Sequence, residues 1–299
     1  METEKQYEYT QANVLSKIEP KKLLKTKKPF LSGFVVYFIL IVYFIIIAYP
    51  LLWMVMNSFR SSKEILGDSW GFPKEFLIQN YVDAWQSGIA GYFLNSVIVT
   101  VATCVLTVLI SAMGAYAFSR FQFKGKNILL IFCLGGLMLS PQVSLIPLYK
   151  LMQALHIYNT YWAMILPYVA YRIPFTLLLI RAYFLSIPKE LEESASLDGC
   201  SNLQIFTKIF LPLSKPVLMT ATVMTGYFAW NEFMFAIVFV DNDKLRTIPA
   251  GLMQFRDALQ TNWGVLLAGL TISALPIVIL FLFAQKYFIR GMASGSIKG

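Results

Sequence analysis

The chain has 299 residues, 57% of them hydrophobic and only 14% charged, with a formal net charge of +9. Soluble domains carry about 25% charged residues, so this composition, with a mean hydropathy of +0.62, excludes an ordinary soluble protein. It predicts an all-α membrane protein that crosses the bilayer several times. Three cysteines cannot make a full disulfide set. Cys104 and Cys133 fall in apolar runs, and Cys200 reads as a reduced cytosolic thiol.

Residues 1–29 hold seven lysines and four glutamates with no apolar stripe. A signal peptide needs an apolar core of about 7–15 residues and a cleavage site. The first apolar run, Phe34 to Met56, is 23 residues long. At about 1.5 Å per residue it crosses a hydrocarbon core of about 30 Å, so it is a retained transmembrane helix. The segment Asn57 to Gly91 carries Trp70, Phe72, Phe76, Tyr81 and Trp85. Aromatic residues concentrate at membrane interfaces, and a partly ordered scaffold on the outer face is expected here.

Further spans are expected at residues 92–118, 128–151, 158–184, 217–240 and 265–288, which makes six transmembrane helices. The domain reading is a tail (1–29), a first span with its outer scaffold (30–91), a five-helix core (92–290) and a second tail (291–299). Gly114, Gly135, Gly136, Pro141, Pro167, Pro174, Gly226 and Pro276 interrupt the spans. They fit kinked helices around a cavity or, equally, close packing.

With the N-terminus inside, seventeen Lys and Arg flank the inner ends of the spans and seven the outer ends, and Arg172 lies within a span. That bias places both termini in the cytoplasm. The positive charge is therefore a topology signal and no nucleic-acid footprint.

Between the fourth and fifth spans lies Ile187 to Pro216, IPKELEESASLDGCSNLQIFTKIFLPLSKP. Pro188 suits a first helical turn, and Glu190, Glu192 and Glu193 follow near the positive end of the helix dipole. Asp198-Gly199 reads as a stop, with Gly199 able to take the left-handed conformation. Ser201 caps a second short helix through Phe210, ended by Pro212 and Pro216. Two short amphipathic helices at an angle on the cytoplasmic surface are predicted.

The one histidine, His156, sits on an outer connection, so a His-based metal site or a Ser/His/Asp set is not expected. No GxxxxGK[ST] phosphate cradle occurs, so ATP is not bound here in the P-loop manner. No GxGD, HExxH or HxxxD pattern supports a membrane enzyme. Energy then comes from an ion gradient or from a separate subunit. Intramembrane charges cost about 2.5–3.5 kcal/mol or more and mark candidate functional sites. Two stand out: Glu232, beside Asn231 and among Tyr227, Trp230, Phe233 and Phe235, and Arg172, just ahead of Pro174. They line a water-filled pathway, or they form a Glu–Arg or Glu–backbone pair that holds helices together.

The segment Glu193, Ser194, Ala195, Gly199, Ile209, Leu211 and Pro212 resembles, at matching spacing, the EAA loop of the permease subunits of binding-protein-dependent ABC importers. Ser194 stands where that family prefers alanine. AWNEFMFA from Ala229, RTIPAGL from Arg246, LPIVILFLFAQKYFIRG from Leu275, GSIKG at the end, NYVDAW from Asn80 and NSVIVT from Asn95 are similar to its carbohydrate (MalG-like) branch. The resemblance covers about residues 34–299. It implies the MetI/MalFG-like permease fold in the bacterial cytoplasmic membrane. Its implied partners are a second, related permease subunit, two ATP-binding subunits that carry ATP and Mg, and an extracytoplasmic solute-binding protein.

By the same resemblance, Glu193, Ser194, Ala195, Asp198, Gly199, Ile209, Leu211 and Pro212 couple the chain to the ATPase. The solute is a sugar or oligosaccharide, or alternatively a polyol phosphate, and Tyr227, Trp230, Asn231, Glu232 and Arg172 are candidates for its path. The outer segment Asp241 to Trp263 faces the solute-binding protein or is a plain solvated loop. The tail Ser294 to Gly299 reaches between the ATPases or is disordered. An ion-coupled secondary carrier, the remaining class, would need inverted repeats and paired intramembrane carboxylates, and neither is apparent.

Overall fold

The computed structural model describes residues 30–255 and 262–296. The expectations for the tail 1–29, for much of the stretch 254–262 and for the last three residues lie outside them. The chain divides into two compact units, residues 1–51 and 52–299. The first is described from residue 30 onward and holds most of helix α1 (Phe30–Asn57), which has no charged residue and contains Pro50.

The second unit begins with the scaffold predicted outside the membrane. Arg60 is only 3% exposed and organises it. Its guanidinium donates to Asn57 Oδ1 at 2.8 Å and to the carbonyls of Asp68 at 2.8 Å and Glu64 at 3.1 Å. Helix α2 (Ser62–Gly67) sits inside that clamp, capped by Ser61. Helix α3 (Gln79–Ala84) runs through a wide turn at Trp85–Ile89, kinked at Gly88, into helix α4 (Ala90–Arg120). Trp70, Phe72 and Phe76 remain exposed.

The core is helix α4 packed along α7 (Tyr161–Ser186), joined by α10 (Lys215–Asn231) and, against α10, α13 (Trp263–Ser296). In lipid the association of helices rests on close packing, which small residues permit. The contact face of α4 is built that way, with Thr103, Thr107, Ser111, Ala112 and Ala115 buried at helical spacing. All the described elements are helical. Among the described residues, four helices are long and apolar enough to cross a membrane, or up to six if each of two bent pairs counts as one span.

Three details differ from the sequence expectation. The third span is bent by 104°, between Lys126–Met138 (α5 with a closing 3-10 turn) and α6 (Pro141–Ala154). Leu139 and Ser140 are extended there, as residues ahead of a proline tend to be. The fifth is interrupted: α10 ends at Asn231, Glu232 is extended, and a short α11 (Met234–Phe239) follows. Pro212 does not end its helix. The wide turn Phe206–Phe210 opens the backbone spacing just ahead of it, and the helix runs on to Leu213. The stop comes at Ser214, where the chain bends by 78° into α10, with Pro216 in its first turn.

Candidate functional site

The two short helices predicted between the fourth and fifth spans are present. Helix α8 (Lys189–Leu197) starts after Pro188 with Glu190 and Glu192 in its first turn. Its end is a full Schellman arrangement: Gly199 N–H donates to Ser196 O at 3.1 Å and Cys200 N–H to Ala195 O at 3.0 Å. Gly199 has φ +80, and a Cβ there would meet nothing within 4 Å. Only backbone conformation, not crowding, therefore demands glycine. Helix α9 (Asn202–Ile205, continuing to Leu213) opens with a capping box, Gln204 N–H to Ser201 Oγ and Ser201 N–H to Gln204 Oε1.

The motif residues divide by face. Ala195 is buried and Ile209 and Leu211 are half-buried, whereas Glu193, Ser194, Asp198, Gly199 and Pro212 are exposed. Beside the exposed set stand two bare leucines, Leu197 at 90% and Leu203 at 68% exposure. Inward, Ala195, Ile205, Phe206 and Phe210 join Ala112, Ala115 and Tyr116 of α4 and Ile180 and Phe184 of α7 in one apolar cluster. The helix pair is thus fastened to the core on one side and open on the other.

What fastens it includes a residue that sequence reasoning did not single out. Arg120, the last residue of α4, donates to the carbonyls of Phe184 at 2.8 Å and Ile187 at 2.6 Å, which end α7. Its Nε lies 3.4 Å from a Glu192 carboxylate oxygen of α8. Its Cζ lies 4.8 Å from the Phe210 ring centroid on the second short helix. One side chain therefore ties α4, α7, α8 and the α9 continuation together. Tyr116, one turn earlier, packs on Phe121, Phe206 and Phe210. In the sequence Arg120 shows only as one of the positive charges at the inner ends of the spans.

The residues proposed for a solute path do not form one cluster. Trp230 is buried, donating from Nε1 to Ser273 O at 3.0 Å and set edge-on to Phe93. Tyr227 and Asn231 are exposed on α10, with Asn231 Nδ2 bonded to Tyr227 O. Glu232 is a helix cap: its carboxylate accepts from Phe235 N at 3.0 Å, Ala236 N at 3.3 Å and Tyr168 Oη at 2.5 Å. Glu232 and Arg172 form no ion pair; of the two pairings weighed for Glu232, the one to backbone is present. Arg172 lies over the rings of Phe175 and Phe228, with Cζ 5.1 and 5.2 Å from their centroids. Among the described residues no His, Cys, Asp and Glu group is placed to hold a metal.

At the other end of the core, Asn95 of α4 donates to the carbonyls of Lys244 and Arg246, both at 2.8 Å, and accepts from Tyr161 Oη at 2.7 Å. Gly251, at the end of the short helix α12 (Ile248–Gly251), passes so close to Tyr92 that a Cβ would come within 2.2 Å of its ring. The loop after α11 is therefore strapped onto the starts of α4 and α7.

A core of long, apolar packed helices with a pair of short helices fastened to one end marks a helical membrane protein. Residues 107–294 match the family described as binding-protein-dependent transport system inner membrane component, and the chain belongs to that family. It is an integral membrane protein that crosses the bilayer several times. It is 63% identical over 273 residues, 91% of each chain, to a probable ABC transporter permease protein, YurM, of Bacillus subtilis (strain 168). It is 38% identical over 256 residues, 84% of this chain and 91% of the relative, to the trehalose/maltose transport system permease protein MalG of Thermococcus litoralis. Among solved structures, a chain of a bacterial ABC transporter involved in the import of the acidic polysaccharide alginate has the same fold. The TM-score is 0.76, with 23% identity over 86% of this chain and 96% of that one.

Proposed function

We propose that the chain is one permease subunit of an ATP-driven importer that carries a sugar or oligosaccharide across the bacterial cytoplasmic membrane. Relatives described as permeases for trehalose/maltose, arabinooligosaccharides and diacetylchitobiose support the sugar class. In this reading both termini are cytoplasmic and the six spans are α1, α4, the bent α5–α6 pair, α7, the interrupted α10–α11 and α13. A second permease subunit completes the pathway. The solute arrives on an extracytoplasmic binding protein. ATP and Mg are held by two separate ATPase subunits, so this chain catalyses nothing itself.

The observation that carries the reading is the one-sided mounting of α8 and α9. Glu193, Ser194, Asp198 and Gly199 stand exposed beside bare Leu197 and Leu203, while the opposite face is locked to α4 and α7 through Arg120 and Phe210. An exposed apolar tip rimmed with carboxylates fits a cleft in a partner protein. When the ATPase pair closes, the tip moves, and Arg120 and the aromatic cluster transmit the movement to α4 and α7 as rigid bodies. Alternating access by rocking of helix groups follows.

The test is reconstitution of the whole importer in vesicles with its binding protein and a panel of carbohydrates. ATP hydrolysis stimulated by the binding protein, together with uptake of at least one sugar, is expected. Stimulation and uptake only with non-carbohydrate solutes would refute the sugar class.

A further inference from the structure

Arg172 occupies an unusual position. It lies near the midpoint of the 26-residue helix α7, so its side chain stands close to the middle of the bilayer. A charge at that depth costs about 2.5–3.5 kcal/mol or more unless something compensates it. Within this chain very little does. Among the described residues Arg172 has no ion pair and no hydrogen bond, and its Nε is buried without a partner. The carboxylate weighed as its partner, Glu232, is engaged by Tyr168 and by the amides of Phe235 and Ala236.

What the chain does supply is two aromatic rings. Phe175, on the same helix, and Phe228, on α10, hold the guanidinium by cation–π contact. Such contacts orient the group and offset part of its desolvation while using none of its N–H donors. The planar fork is left able to meet an anion in two-pronged fashion, the geometry in which arginine recognises carboxylate, sulfate and phosphate. Phe228 packs edge-on to Tyr168, and Tyr168 stacks on Phe235, so the group is seated in an ordered aromatic wall.

We propose that Arg172 recognises an anionic substituent, a carboxylate, sulfate or phosphate ester, on the sugar as it passes the middle of the membrane. The proposal rests on the sugar-permease reading and narrows it to acidic or phosphorylated sugars.

The experiment uses the complete reconstituted importer and four labelled probes: digalacturonate, a sulfated disaccharide, a hexose phosphate and a neutral disaccharide. The wild type is expected to take up at least one of the anionic probes. Arg172→Gln should reduce that uptake about tenfold or more, the scale of a lost charge-assisted hydrogen bond. Arg172→Lys should recover part of it, and the assembled importer should be recovered in the same amount with both. Wild-type uptake of the neutral probe alone overturns the proposal, as does unimpaired anion uptake by Arg172→Gln. Failure of Arg172→Gln to assemble also overturns it, because the charge then pairs with a neighbouring subunit. A wild-type importer that moves none of the four probes defeats the sugar reading itself, and this proposal falls with it.

Discussion

Arg120 and Arg172 are two arginines on the two core helices that pack most extensively, and the chain treats them in opposite ways. Arg120 has two carbonyl acceptors, a carboxylate and a ring; Arg172 has rings alone. A guanidinium that meets carbonyls and a carboxylate inside its own chain holds elements together. One whose donors are left unspent, at a depth where water is scarce, is kept for something that arrives from outside. The difference separates scaffold from site more sharply than the residue types do.

Breaking the Arg120 side should have the largest effect on stability. Arg120→Ala leaves Glu192 and the carbonyls of Phe184 and Ile187 without their partner. Loss of one member of a buried pair costs about 3–5 kcal/mol. The detergent-solubilised importer should melt at a clearly lower temperature, and Arg120→Lys should recover only part, since a single ammonium cannot span all three acceptors. An unchanged melting temperature would show that the aromatic cluster alone fastens α8 and α9.

Glu232→Ala should cost less, about 1–2 kcal/mol, the range for a lost helix cap. The amides of Phe235 and Ala236 should exchange hydrogen faster, and Glu232→Gln should restore most of the protection. Faster anion uptake or lost uptake with unchanged exchange would move Glu232 from the scaffold to the solute path. The smallest stability effect is expected at Leu197→Ser, within about 0.5 kcal/mol because the side chain is exposed. Its effect should fall instead on capture of the ATPase subunits, measured by co-purification.

Local punctuation was the most legible part of the sequence. The left-handed Gly199 and the Ser201 cap follow from residue chemistry that acts over three or four positions, and both are present. The breaks in the third and fifth spans were harder to read, because hydropathy averages across them. Leu139-Ser140 and Glu232-Phe233 interrupt runs that remain apolar as a whole. Glu232 read as an intramembrane charge that lines a pathway or pairs with Arg172 or with backbone; the backbone pairing is present, but the new helix it starts and its bond from Tyr168 were not legible. Arg120 was visible only as one of many cytoplasmic positive charges; its role depends on bringing together residues 120, 184, 187, 192 and 210, which no local pattern encodes. The contrast between Arg120 and Arg172 is likewise tertiary.

Coupling of this permease to ATP hydrolysis through the helix pair turned at Gly199 is the proposal on which the rest depends. Gly199→Val tests it most directly, because valine is strongly disfavoured at φ +80 and the site has no crowding to confuse the result. Sugar uptake by the reconstituted importer should be abolished and stimulation of ATP hydrolysis lost, with membrane insertion and recovery of the chain unchanged. Uptake at the wild-type rate by that variant would contradict the claim.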